Sequence, residues 1–190
     1  MSLRQPPLHA DHASTGAKLT PFGGWEMPVE FDSIRTEHEA VRESVGKFDV
    51  SHMGEIEVSG PDATELTNRL TTNDVAELAP GEAQYSAITD PDGVMIDDTV
   101  VYRLPESGRG QSDAEYLFIP NAGHDAAAYD RWVDHADEWD LDVAVENATV
   151  DLGMITVQGP ESIDLLEGLC ESPGDVSRFT VAPREIAGVE

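Results

Sequence analysis

Two adjacent carboxylates, Asp97 and Asp98, interrupt a stretch that otherwise reads as a buried β-strand, Val94-Met95-Ile96-Asp97-Asp98-Thr99-Val100-Val101-Tyr102-Arg103-Leu104. Side chains alternate between the two faces of a strand. Asp98 therefore shares a face with Ile96, Val100, Tyr102 and Leu104, and Asp97 shares the other with Met95, Thr99, Val101 and Arg103. The alternation gives Asp97 polar company and a nearby cation, and leaves Asp98 alone on an apolar, aromatic face. An unpaired carboxylate is costly to bury. Such a group raises its pKa or waits for a ligand that brings a donor. The spacing leaves a second reading open: an aspartate at a strand edge or bulge, fully wetted.

A hairpin must position this pair. Gln84 to Thr89 reads as a strand, and Asp90-Pro91-Asp92-Gly93 is a turn in which Pro presets φ and Gly tolerates a positive one. With residues 90–93 as the loop, Thr89 faces Val94 and Tyr85 lies across from Asp98; a three-residue loop would turn Tyr85 to the other face. Pro105 to Asp113 is a polar hairpin loop and Tyr116 to Ile119 the return strand. Asn121 can cap a helix running through Asp137, with Tyr129, Trp132, Val133 and Ala136 inward. Val143 to Val145 is a further strand.

Residues 1–20 read as irregular, and His9, Asp11 and His12 there lack a third ligand at helical spacing, which favours a surface loop over a metal site. Pro21 to Pro28 reads as an ordered loop packed by Phe22 and Trp25. Asp32 or Ser33 caps a helix from Ile34 to Val45, stopped by Gly46, with Ile34, His38, Val41 and Val45 as its inner stripe. On that stripe His38 is a core histidine. Gly60-Pro61 opens a helix through Leu70 with Pro61 at its first position. Ile56 to Ala63 is echoed by Ile155 to Ser162, and Leu66 and Leu70 by Leu165 and Leu169, which suggests a duplicated unit of strand, Gly-Pro turn and helix. The segment Ile186–Glu190 looks like the middle of a strand pairing with Phe179–Val181.

The chain has 38 acidic residues against 11 basic, a net charge of −27, and 39% hydrophobic content. The content supports a globular fold. The acids are scattered between apolar positions, as on the solvated faces of a protein adapted to high salt, where screening removes their self-repulsion; instability in low salt is expected. Such a charge argues against nucleic acid and anionic membranes as partners. Cys170 is the single cysteine, follows Leu165, Leu166 and Leu169, and reads as a small buried apolar group. No apolar run of about 20 residues and no leader-like start is present, so a soluble, cytoplasmic protein is expected.

Several blocks taken together are specific: Gly16-Ala17-Lys18, Phe22-Gly23-Gly24-Trp25-Glu26-Met27-Pro28, Val45 to Glu55 with its Phe48-Asp49-Val50-Ser51-His52-Met53-Gly54-Glu55 core, Gly93 to Tyr102, and Gln158-Gly159-Pro160. In this order and spacing the whole chain resembles the aminomethyltransferase, or T-protein, of the glycine cleavage system, in a version from a salt-loving organism. The resemblance implies an α+β fold of antiparallel sheets with flanking helices, of which this chain is the N-terminal part. It places residues 50–147 in one domain and residues 1–49 with 148–190 in a second, discontinuous and incomplete one.

The resemblance also implies a reaction: transfer of the methylene carbon of an aminomethyl group, carried on the lipoyl arm of the H-protein, to tetrahydrofolate, with release of ammonia and without a metal. The family's key aspartate falls on Asp98, and a desolvated carboxylate near neutral pKa suits proton handling at an amine. Its folate pocket falls on Met53, Tyr85, Val100, Tyr102 and Asn121. Without the resemblance Met53, Val100 and Tyr102 read first as core packing, and helix capping accounts equally for Asn121. His52 reads as structural. The family continues past residue 190, through a Gly-Tyr-Thr-Gly-Glu segment, an arginine and a β-rich domain. Two other expectations therefore stand beside the enzyme: a non-catalytic folate-binding or assembly module, and an inactive truncated fragment.

Overall fold

The computed structural model describes residues 2–106 and 114–188. It divides into two compact units, one of Met1–His52, Val150–Asp175 and Arg184–Glu190, the other of Met53–Thr149 and Val176–Pro183. Each is α+β. Among the described residues no helix is long and apolar enough to cross a membrane.

In the first unit α1 (His9–Ser14) precedes a hairpin of β1 (Lys18–Phe22) and β2 (Trp25–Glu30). A helix and a hairpin thus replace the irregular segment and the loop expected there. Gly23 and Gly24, both at positive φ, make the turn, which buries Trp25 and leaves Phe22 exposed. Helix α2 (Ile34–Glu43) starts where the sequence indicates, with Ser33 accepting from the Thr36 amide. None of its residues is buried, and His38 is exposed rather than a core histidine. Strand β3 (Gly46–Asp49) pairs with β9 (Ile155–Gln158), and α5 (Ser162–Glu167) follows. Cys170 is only half-buried.

The second unit is built on a five-stranded antiparallel sheet ordered β5-β6-β7-β4-β8. Its strands are β4 (Ile56–Ser59), β5 (Ala83–Thr89), β6 (Met95–Arg103), β7 (Tyr116–Phe118) and β8 (Ala144–Asn147). Helices α3 (Ala63–Leu70) and α4 (Asp125–Glu138) cover one face. Ile56, Val58, Val101, Tyr116 and Phe118 meet Ala63, Leu66, Leu70, Ala128, Trp132 and Ala136 in one apolar cluster. The Phe118 and Trp132 rings stack at 4.3 Å.

Both copies of the echo form a strand, a Gly-Pro turn and a helix. Gly60 and Gly159 share a positive φ, and a Cβ at Gly60 would sit 2.6 Å from the Asp142 carbonyl oxygen. Helix α3 begins at Ala63, so Pro61 lies before the helix instead of at its first position; Asp62 takes the N-cap place but accepts from the Asp142 amide. Phe179 and Val181 bond to Ala83 and Gly81, which accounts for 176–183 packing with the second unit. Ala187 donates to Leu169, not to the 179–181 segment. Residues 107–113 of the expected Pro105–Asp113 loop, and Val189 and Glu190, lie outside the described residues.

Candidate functional site

The β5–β6 hairpin carries the carboxylate pair, with a register that differs from the one counted from its loop. The turn sets Thr89 opposite Met95 instead of Val94, and a bulge between Ile88 and Thr89 adds one more residue, so Tyr85 pairs with Val100 and Ala87 with Asp98. From Ile88 back to Ala83 the slip totals two residues, an even number, so those side chains keep their faces. Tyr85 reaches Asp98 on the diagonal, and its hydroxyl donates to Asp98 Oδ2 at 2.8 Å. The loop tightens around Asp90, whose Oδ1 accepts from the amides of Asp92 and Val94.

Each aspartate keeps the face that alternation assigns it, but the buried one is Asp97. Thr99 and Val101 face the helices and Asp97 goes with them, 8% exposed. The face of Ile96, Asp98, Val100 and Tyr102 is the open side of the sheet, and Asp98 is half-buried there. Both faces of β6 carry apolar residues; the choice between them is made by Phe118 on the adjacent β7 and Ile56 on β4 beyond it. Asp98 is also not bare: besides Tyr85, the Asn121 amide nitrogen donates to its Oδ1 at 2.7 Å. The expectation of an unpaired, desolvated Asp98 is thus corrected, as is that of a freely wetted one.

Asn121 is not a helix cap. Helix α4 begins at Asp125, with His124 in the cap position, and the Asn121 side chain turns to the aspartates. Its Nδ2 donates to Asp97 Oδ1 at 2.6 Å as well as to Asp98, and its backbone amide donates to Asp97 Oδ2 at 3.1 Å. His124 Nδ1 lies 3.0 Å from the same oxygen. Burial pushes the Asp97 pKa up; the bonds from Asn121, His124 and the Asp98 amide outweigh it and hold the carboxyl below its ordinary value. On Tyr85 the bond to Asp98, then loss of water, then the carboxylate's charge raise the phenol's pKa, so the hydroxyl stays a donor.

Val100 and Tyr102 are half-buried on the same face as Asp98, and burial raises the Tyr102 phenol. Tyr85 is 49% exposed. Met53 is half-buried beside Gly54, whose amide donates to the Pro120 carbonyl at 2.9 Å, which brings Met53 toward the Asn121 end of β7. The structure therefore gathers Tyr85, Asp98 and Asn121 in direct contact and sets Val100 and Tyr102 along the same pleat. A carboxylate with one hydrogen bond on each oxygen keeps further lone pairs for a ligand N–H, or for a proton taken from an amine.

One group here escaped the sequence reading: His124 was not singled out. A second is Glu55, just before β4: only 5% exposed, its carboxyl driven up to about 7 by burial and by the Glu57 carboxylate. In the first unit His52 packs edge-on against Phe22 and stays below its usual pKa, through burial that the Asp49 charge offsets only in part. His9 and His12 pair with Glu26 and Asp49, each at 2.7 Å. Among the described residues no group of three or more His, Cys, Asp or Glu side chains is placed to hold a metal ion.

The family model described as the GCVT N-terminal domain matches residues 8–190. A probable aminomethyltransferase of Natronomonas pharaonis is 64% identical over all of this chain and 51% of its own length. One from Halobacterium salinarum is 60% identical, over all of this chain and 52% of that protein. Both come from halophilic archaea. An aminomethyltransferase of Corynebacterium aurimucosum is 43% identical over 87% of this chain and 42% of its own. The crystal structure of the glycine cleavage system aminomethyltransferase T from Bartonella henselae superposes with a TM-score of 0.74, at 28% identity, over 88% of this chain and 44% of that one. The chain spans about half the length of the curated relatives it matches. With a family model covering nearly all of it and relatives that share its sequence from end to end, the chain belongs to the GCVT N-terminal domain family, that of the glycine cleavage aminomethyltransferases.

Proposed function

We propose that this chain supplies the folate-binding half of a tetrahydrofolate-dependent aminomethyltransferase, which moves the methylene of the aminomethyl-lipoyl H-protein to tetrahydrofolate and releases ammonia. The observation that carries this reading is the contact triplet Tyr85–Asp98–Asn121 on the open face of the sheet. Asp98 is the catalytic group: its carboxylate accepts from a folate nitrogen and handles the proton as the carbon moves. Tyr85 and Asn121 hold it in place, and the flat ring of Tyr102 with the apolar surfaces of Val100 and Met53 suits a pterin ring. The acidic surface fits work in molar salt, where short-range contacts with the H-protein matter more than steering.

The test separates binding from transfer. In a full-length aminomethyltransferase carrying this sequence as its first half, Asp98→Asn should keep tetrahydrofolate binding and lower ammonia release from aminomethylated H-protein by about 10²–10⁴. Wild-type turnover by that variant overturns the role of Asp98. Coverage of only half of each relative favours a second reading for the chain by itself: it binds tetrahydrofolate without turnover, which titration in molar salt checks directly.

A further inference from the structure

The Asn121 carboxamide lies between two carboxylates. Its Nδ2 donates to Asp97 Oδ1 at 2.6 Å and to Asp98 Oδ1 at 2.7 Å, with a longer approach of 3.3 Å to the Asp98 carbonyl oxygen. Both amide protons are thereby used. The reversed orientation would set the amide oxygen against two anions, so the network fixes which end is nitrogen. The described residues offer Asn121 Oδ1 no hydrogen bond. Asp97 is the anchored member of the set, buried and also held by the Asn121 backbone amide and by His124.

We propose that Asp97 is a positioning residue: by clamping the Asn121 amide nitrogen it presents the Asn121 carbonyl oxygen, beside the Asp98 carboxylate, as a surface of acceptors that selects a ligand edge rich in N–H donors. This rests on the folate reading of the site, and it narrows that reading to the nitrogen-bearing edge of the ligand. Tyr85 spends its proton on Asp98 and Asn121 spends both of its own on the aspartates, so among these three residues no donor remains for a ligand acceptor. Asp97 touches no ligand in this scheme. Its influence passes entirely through Asn121.

Two measurements on the whole chain in molar salt decide the matter. Solvent exchange of the Asn121 carboxamide protons, followed by NMR without ligand, should quicken at least tenfold in Asp97→Asn. An unchanged rate overturns the proposal. If Asp97→Asn does not fold, couplings across the hydrogen bonds from Asn121 Nδ2 to both carboxylate carbons of the wild type replace it, and a missing coupling to Asp97 overturns the proposal. Titration with tetrahydrofolate then reads the consequence. Asp97→Asn and Asn121→Ala should each weaken binding about tenfold, and Asp97→Asn should add less than twofold in the Asn121→Ala background. Additive losses would mean that Asp97 acts by another route and overturn it. A wild type that shows the protected carboxamide but no tetrahydrofolate binding refutes the folate reading for this chain and leaves the clamp standing.

Discussion

In the second unit α3 and α4 lay Leu66, Leu70, Trp132 and Ala136 on Ile56, Val58, Tyr116 and Phe118, all of them nearly or fully excluded from water. In the first unit α2 and α5 bury no residue, and the only large hydrophobic side chains buried among its described residues are Trp25 and Met27. Ile34, Phe48, Leu165 and Leu169 there remain at least 43% exposed. Both units carry helices with apolar stripes of the same period. The difference teaches that a stripe reports a surface in need of cover, and that the cover is a separate fact. Helix stability in proteins comes mainly from packing of that face. The second unit should therefore behave as a cooperative body, and the first should open locally at much lower free energy.

The largest expected effect tests this directly. Trp132 is fully buried and stacked on Phe118. Trp132→Ala should lower unfolding free energy by about 3–5 kcal/mol, as other large-to-small aromatic core substitutions do. Ile34→Ala, on the exposed α2 stripe, should change it by no more than about 0.5 kcal/mol. Denaturant unfolding in molar salt measures both. A loss at Ile34 comparable to that at Trp132 would show that the first unit has a core of its own, and the comparison would fail.

A smaller effect separates the units by the sign of their pH dependence. Glu55, in the second unit, has a folded pKa of about 7 against an ordinary 4.5. The folded state then binds more protons than the unfolded one between those values, so stability falls as pH rises from about 4.5 to about 7, by on the order of 3 kcal/mol. Asp49, in the first unit, is depressed: burial raises it, but the bonds from His12 and Ser51 prevail. Its stabilisation is present above the unfolded value of 3.8 and is lost as pH falls below that. Glu55→Gln should remove the decline between pH 4.5 and 7, and Asp49→Asn should flatten the acid limb of the first unit. Unfolding curves for each variant against wild type across pH 3–8 check both slopes; a Glu55→Gln curve parallel to wild type would refute the assignment.

The β5–β6 hairpin, the Ser33 cap and the strand–Gly-Pro–helix echo were legible because each is a local pattern, whereas the fold class followed from the resemblance of several blocks taken together. The β1–β2 hairpin was not, since Pro21 and Pro28 sit inside its strands and argue against them. The site was half legible. Alternation placed Asp98, Val100 and Tyr102 on one face, and that held. Which face lies under the helices depends on Phe118 and Ile56, on strands far along the chain, so it is Asp97 and not Asp98 that is buried. Asn121 was visible as a polar residue before a helix, but its partners lie more than twenty positions away in sequence. The bulge at Ile88 shifted the register without announcing itself in composition.

The smallest prediction asks whether charge supplies what α2 lacks in packing. Arg35 and Glu39 form an i,i+4 pair at 3.1 Å on α2, with side chains 89% and 57% exposed. Pairs of this kind contribute about 0.3–0.5 kcal/mol at most, and a screening length near 3 Å in molar salt reduces that further. Arg35→Ala should therefore leave hydrogen exchange across α2 unchanged within error in molar salt. At low salt the background repulsion among 38 acids grows, and the loss of one of only 11 basic residues should then speed α2 exchange. Faster exchange already in molar salt would mean that this pair, and not the missing cover, limits the helix. The contrast between the units would then be one of electrostatics, because α4 keeps its place through Trp132 whatever the salt.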